Sequence, residues 1–441
     1  MTDTTAPAAR ASVSELLGLP LIHTSWRLLR THWVALLAIA SLAYVAHNLV
    51  MLAAVYIGKL GAVPGLLTFA LVPMVPLAAI VAMLLILRLP HQGAGLAAVI
   101  ATIGSVLVPF LVVYEGQGDL VADISDYFYA GLLEDCNGGE GYLLICDEGV
   151  TLDSDARIAS PDSPIVLAVV VIAFLLRAIG ARLAAREKLW AGTVAGQART
   201  PLRLLVGYAE VVWIVLGTSV IRYAFSGLQQ WWLTRRFGWA LASWWEEIKV
   251  AVPSLGTLGD WLLNAAARVT DGLVTGLVTP LAWLAIGVIV YGISAADTIS
   301  ENEIVTAATR PARLSMLTQR IHPAVITLAW RRIADPEGRF GALLGALALI
   351  IRAGFAPVLV FCLIYTVVAT ATPYAVWDLA KTAGDLEYRT WLSLFGPLQA
   401  VTQIVTLCLA APLLASWTDA LLVRFGAHSQ LRLPPSIDRK L

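Results

Sequence analysis

Charge is scarce in this chain. Only 14% of its 441 residues are Asp, Glu, Lys or Arg, while 59% are hydrophobic. A soluble globular surface needs about 25% charged residues, so a water-soluble fold is excluded. Lysine is rarer still, confined to Lys59, Lys188, Lys249, Lys381 and Lys440, and arginine carries the remaining positive charge. Acidic and basic residues balance at 30 each, which leaves no net field to draw nucleic acid. Four cysteines without a Cys-x-x-Cys pair give no support for a zinc or thioredoxin-type centre.

Catalytic signatures are missing as well. No Gly-x4-Gly-Lys-Ser/Thr phosphate loop, His-Glu-x-x-His or Gly-x-Ser-x-Gly occurs. Glu246-Glu247 lack the arginine that CAAX-type intramembrane proteases place after three spacers, since Ala251 stands there. Arg310-Pro311 lacks the upstream lysine of lipid phosphatases, with Glu303 in its place. No catalytic residue, metal or cofactor is therefore assigned, and an enzyme is disfavoured.

The chain does have long apolar runs. A helix needs about 20 apolar residues to cross the hydrocarbon core. On that criterion eight spans are expected, at 33–56, 65–87, 94–114, 164–182, 202–222, 272–294, 341–370 and 391–414. The fold class is an all-α polytopic membrane bundle. A disordered start and an amphipathic surface helix occupy 1–32, and spans one to three occupy 33–114. An acidic extracytoplasmic loop covers 115–163, spans four and five 164–222, and a Trp-rich interfacial segment 223–271. Span six follows over 272–294, a cytoplasmic loop over 295–340, spans seven and eight over 341–414, and a cytoplasmic tail over 415–441. The first long apolar run begins near Trp33, too far in and too long for a cleaved leader. Arginines cluster around Arg27–Arg30, Arg177–Arg203, Arg310–Arg339 and Arg424–Arg439. With eight spans, the positive-inside bias puts both termini in the cytoplasm. Abundant Ala, with Arg over Lys, suits a GC-rich bacterial genome and hence a bacterial cytoplasmic membrane.

Six of the fifteen tryptophans lie near the middle: Trp231, Trp232, Trp239, Trp244, Trp245 and Trp261. Tryptophan favours the headgroup zone, where its ring is half buried and its N–H stays wet. With Arg235, Arg236 and Lys249 available to lipid phosphates, the stretch reads as an interfacial amphipathic helix; a re-entrant hairpin over 226–262 is the alternative. Within the spans, Glu210 and Arg352 are deep charges, each costing about 2.5–3.5 kcal/mol if unpaired. Gln399, Thr402, Gln403 and Thr406 recur at i, i+3, i+4 and i+7, on one face of span eight. These six are expected to form an intramembrane polar centre, either as structural pairing or as a substrate path. His47 and Asn48 add polarity to span one. Asp119, Asp123 and Asp126 share a face if their segment is helical. A solvated acidic surface is preferred there over a divalent-cation site, because EF-hand spacing is absent. Cys136 and Cys146 bracket NGGEGYLLI and suit a short disulfide ring; Cys362 and Cys408 fall within spans as reduced packing residues.

Gly18 to Ala40, GLPLIHTSWRLLRTHWVALLAIA, resembles the opening of the membrane-domain family associated with glycerophosphoryl diester phosphodiesterases. Ala329 to Ile350 repeats part of it, with Trp330-Arg331 matching Trp26-Arg27 and Phe340 standing for Trp33. The resemblance implies a surface helix followed by a long Ala/Leu span, and no catalytic residues in the membrane domain. Taken together, these features favour a non-enzymatic membrane subunit or accessory factor of an envelope transport or assembly system. Its partners would be membrane lipids and other membrane proteins, with no nucleic acid. A transporter of a small molecule or lipid through a path near Glu210, Arg352 and Gln403 comes second. A membrane-embedded lipid-modifying enzyme comes third.

Overall fold

A computed structural model describes residues 19–89, most of 103–136, 163–185, 193–291 except 252, 355–424 except 383, 385 and 386, and 429–432. In chain order the helices are α1 (Leu19–Gly58), α2 (Ala62–Phe69), α3 (Met74–Leu87), α4 (Asp119–Cys136), α5 (Pro164–Ala185) and α6 (Thr193–Leu233). Then come α7 (Arg236–Ala251), α8 (Pro253–Leu273), a π-helical turn (Val274–Val278), α9 (Thr279–Val290), α10 (Phe355–Lys381) and α11 (Tyr388–Arg424). One isolated antiparallel bridge, Arg88 to Leu431, is the sole β pairing among the described residues.

The all-helical membrane class is therefore as expected. Six stretches among the described residues are long and apolar enough to cross a bilayer: Pro20–Gly58, Ala62–Leu87, Leu205–Phe225, Thr257–Val290, Ala356–Lys381 and Tyr388–Arg424. Pro164–Gly180 is a shorter apolar helix. The expected span 94–114 is described only in part. The loop 295–340, Arg352 and Cys146 lie outside the described residues, and with Cys146 goes the expected ring to Cys136.

Element boundaries differ from expectation for identifiable reasons. α1 is one helix of 40 residues, about 60 Å long, with no break between the expected surface helix and span one. Neither Gly nor Pro occurs from Leu21 to Ile57, and Pro20 sits in the first turn, where a missing N–H is harmless. Gly58 and Gly61 end it, and Gly61 adopts φ 136, a conformation natural to glycine. α6 likewise runs through residue 222 to Leu233. The expected start of span six at 272 falls inside a helix, because α8 passes through the π turn into α9. Pro280 explains the turn. It has no N–H to donate, and its ring crowds the carbonyl four residues back, so the backbone widens just before it.

Packing gathers the chain into two units. The middle unit is Val45–Val75 with Gly118–Leu273, and the terminal unit is Met1–Tyr44, Pro76–Gln117 and Val274–Leu441. In the middle unit, α5 and α6 form an intimate hairpin. A Cβ on Gly180 would collide with Val206, so glycine is what permits the close crossing. Phe174 meets Trp213 edge-on, ring centroids 5.5 Å apart. The Tyr208 hydroxyl donates to the Leu67 carbonyl at 2.6 Å, joining α6 to α2. α7 and α8 form a second hairpin, with Gly259 pressed against the Trp245 ring.

In the terminal unit, α9, α10 and α11 share an aromatic core. Phe110, Trp283, Tyr365, Phe361 and Trp417 follow one another at centroid distances of 6.1, 6.5, 6.0 and 5.7 Å. Gly287 lets α9 lie against Thr418 and Leu414 of α11. Ser25 and Ser416 hydrogen-bond at 2.5 Å, tying α1 to α11. The segment 429–432 closes the unit. The Asp419 carboxylate accepts from Ser429 Oγ at 2.7 Å and from the Gln430 amide at 2.6 Å. The Leu89 amide donates to the Gln430 carbonyl at 2.7 Å, and the Arg432 amide donates to the Leu87 carbonyl at 2.9 Å.

Candidate functional site

The middle unit holds two buried carboxylates, each facing a partly exposed basic side chain on a neighbouring helix. The first joins α1 to α4. Gly118 turns the chain with φ 83, and Asp119 then sits in the first turn of α4, where the helix dipole favours an anion. Asp119, Asp123 and Asp126 fall on one face, as their spacing requires. Asp123 is buried, and its Oδ1 lies 3.2 Å from His47 Nε2. The His47 ring also hydrogen-bonds the backbone of Val72. Of the three residues expected on a solvated acidic surface, Asp119 and Asp126 are exposed, whereas Asp123 is buried against a histidine.

The carboxyls around this pair feel it. Asp119 is exposed. Even so, the protein packed around it and the Asp123 charge push its carboxyl up to about 6, with His47 opposing. Burial and then Asp123 also raise Asp126. Among the described residues no group of three His, Cys, Asp or Glu side chains can hold a metal ion.

The second pair joins α5 to α6. Glu210, 2% exposed, has Oε2 3.8 Å from Arg177 Nε. At that distance the contact is an ion pair, not a hydrogen bond. Arg177 is about one-third exposed and so links a buried carboxylate to its surroundings. Glu210 was singled out from sequence, but the partner expected for it, Arg352, lies outside the described residues. In the sequence Arg177 counts only within the Arg177–Arg203 cluster of the positive-inside bias. The available signal was its position inside the expected span 164–182, the same anomaly that marks Glu210.

The glutamine face on α11 is divided by chemistry. Thr402 and Thr406 donate to the carbonyls of Leu398 and Thr402, at 2.8 and 2.7 Å, so their hydroxyls are satisfied on their own helix. Gln399 and Gln403 are exposed.

The Trp-rich segment presents an aromatic surface. Trp231, Trp232, Trp239 and Trp244 are exposed, while Trp245 is half buried against α8. Arg235 lies over the Trp231 ring at 4.5 Å, a cation–π contact, and Arg236 beside it is exposed. Lys249 has two carboxylate neighbours. It pairs with Glu246 at 3.0 Å and Asp260 at 3.3 Å, and so locks α7 to α8.

No family model, curated protein or solved structure matches this chain.

Two outcomes follow for the charges. Arg177→Gln removes a cation from beside a buried carboxylate, whereas Glu210→Gln leaves an arginine that reaches solvent. The first is expected to lose about 2–3 kcal/mol, less than a fully buried pair, and the second less than that. The double variant should lose less than the sum, read from denaturation in detergent; strict additivity would refute the coupling. For Asp119 the folded state binds the proton more tightly than the usual 3.8 implies, so this group favours folding as pH falls through about 6. Asp119→Asn should therefore raise the melting temperature at pH 8, with the gain fading below about 6. A pH-independent difference would contradict it.

Proposed function

We propose that this chain is a non-enzymatic, eight-span subunit or accessory factor of an envelope transport or assembly system. We place it in a bacterial cytoplasmic membrane with both termini inside, and its α7–α8 hairpin along the membrane interface. Support comes from the contrast between buried and exposed surface in the middle unit. Its buried carboxylates, Asp123 and Glu210, each face a basic side chain. Its exposed surface is aromatic: Phe237, Trp239, Trp244 and Trp261 lie open on the hairpin, next to Arg235 and Arg236. Tryptophan is enriched in headgroup belts, and tryptophan and arginine are enriched among protein-interface anchors. Lipids and other membrane proteins are the partners this surface suits.

A transporter of a small molecule or lipid is the second reading. The observation favouring it is His47, which is 20% exposed while bound to the buried Asp123, a group able to carry a proton to a buried carboxylate.

Purification of the full chain in mild detergent, followed by quantitative mass spectrometry, separates the two. A subunit should bring down a membrane protein in fixed stoichiometry and lose it when Trp239, Trp244 and Trp261 become alanine. Substrate flux by the chain alone in proteoliposomes, abolished by His47→Gln, would contradict the subunit proposal and select the transporter.

A further inference from the structure

The two halves of α11 have different surroundings. Ala411, Leu414, Ala415 and Trp417 are buried in the aromatic core. Phe395, Gly396, Gln399, Val401 and Gln403 are exposed. Depth can be bounded from the charges. Arg389 and Asp419 enclose an uncharged stretch, 390–418. A hydrocarbon core holds about 20 residues of helix, and every 20-residue window within that stretch contains residues 399–409. Gln399 and Gln403 therefore lie at hydrocarbon depth for each such placement.

A glutamine amide there has two N–H groups and a carbonyl to satisfy. The threonines on this helix meet their needs through backbone carbonyls, but a long amide directed outward does not. Lipid tails offer it nothing.

We infer that α11 pairs with α11 of a second copy of this chain, with Gln399 and Gln403 bonded across a two-fold axis. Three features select a copy of itself as the occupant. An amide is its own complement, so a symmetric pairing sets donors against acceptors in both directions. Gly396 precedes the glutamines on the same face, and a Cβ there would meet nothing within 4 Å, which leaves room for a second backbone. Gly396, Gln399, Gln403 and Thr406 also step by three, four and three, the spacing of a helix–helix seam. The seam carries no charge that would demand an oppositely charged partner.

The test uses the full chain with its native cysteines replaced by alanine, reconstituted in phospholipid vesicles. Gln403→Cys lies on the seam, and Val401→Cys lies on the opposite side of the helix. Mild oxidation should cross-link Gln403→Cys chains into dimers and leave Val401→Cys chains monomeric. Photobleaching steps of the labelled chain, with its native cysteines intact, should show dimers at low protein-to-lipid ratio. The Gln399→Leu/Gln403→Leu variant should weaken that association about tenfold or more. A monomeric native chain, equal cross-linking at 401 and 403, or an unaffected leucine variant would overturn the inference. So would fast labelling of Gln403→Cys by a membrane-impermeant thiol reagent, which would mark a watered path. A monomeric result leaves the subunit proposal standing, because that proposal is read from a different partner lost with the tryptophans.

Discussion

Inside a bilayer no water is available to meet a backbone amide or a charged side chain. The described segments of this chain meet the first demand by closing their amides within long helices. The widening before Pro280 shows how a missing N–H is absorbed without breaking the run. The second demand is met by pairing. Asp123 faces His47, and Glu210 faces Arg177. At the end of α11, Asp419 takes two donors from 429–430. A buried pair of this kind adds little stability over an apolar equivalent, yet breaking it is expensive. Its value lies in fixing which helices are neighbours. His47–Asp123 sets α4 against α1, and Arg177–Glu210 sets the register of the α5–α6 hairpin.

Small residues supply the complementary half of that specificity. Gly180, Gly259 and Gly287 each sit where a side chain would strike a partner helix. Between lipid-soluble surfaces, close backbone approach takes over much of what hydrophobic burial does in water. The hairpin of α7 and α8 combines both devices, with Gly259 under Trp245 and Lys249 between Glu246 and Asp260. The tryptophans are thus presented on a braced element.

Sequence periodicity and length were enough to read the helical membrane class, the aromatic segment and the isolation of Glu210. All three follow from local chemistry: an apolar run, a residue preference, a charge in the wrong solvent. The partners were not legible. That Arg177 faces Glu210 depends on how α5 and α6 cross, and that depends on Gly180 fitting Val206, which has no period in the chain. Asp123 was hidden for the same reason, since an acidic run reads as solvated until a histidine on another helix is placed beside it. Helix ends were misjudged because hydrocarbon thickness says where a span must be apolar, not where the helix stops. α1 and α6 continue until glycine or a turn ends them. The face shared by Gln399 and Gln403 was visible from spacing, but its outward direction was not.

On the proposed topology these helices cross a bilayer in alternation, with α4 on the outer side and the ends of α5 and α11 on the inner side. Single cysteines at Asp126, Arg182 and Arg424, in a chain otherwise free of cysteine, test it directly in intact cells and inverted vesicles. A membrane-impermeant thiol reagent should label position 126 only from outside, and positions 182 and 424 only from the cytoplasmic face. Labelling of all three from the same side would contradict the account.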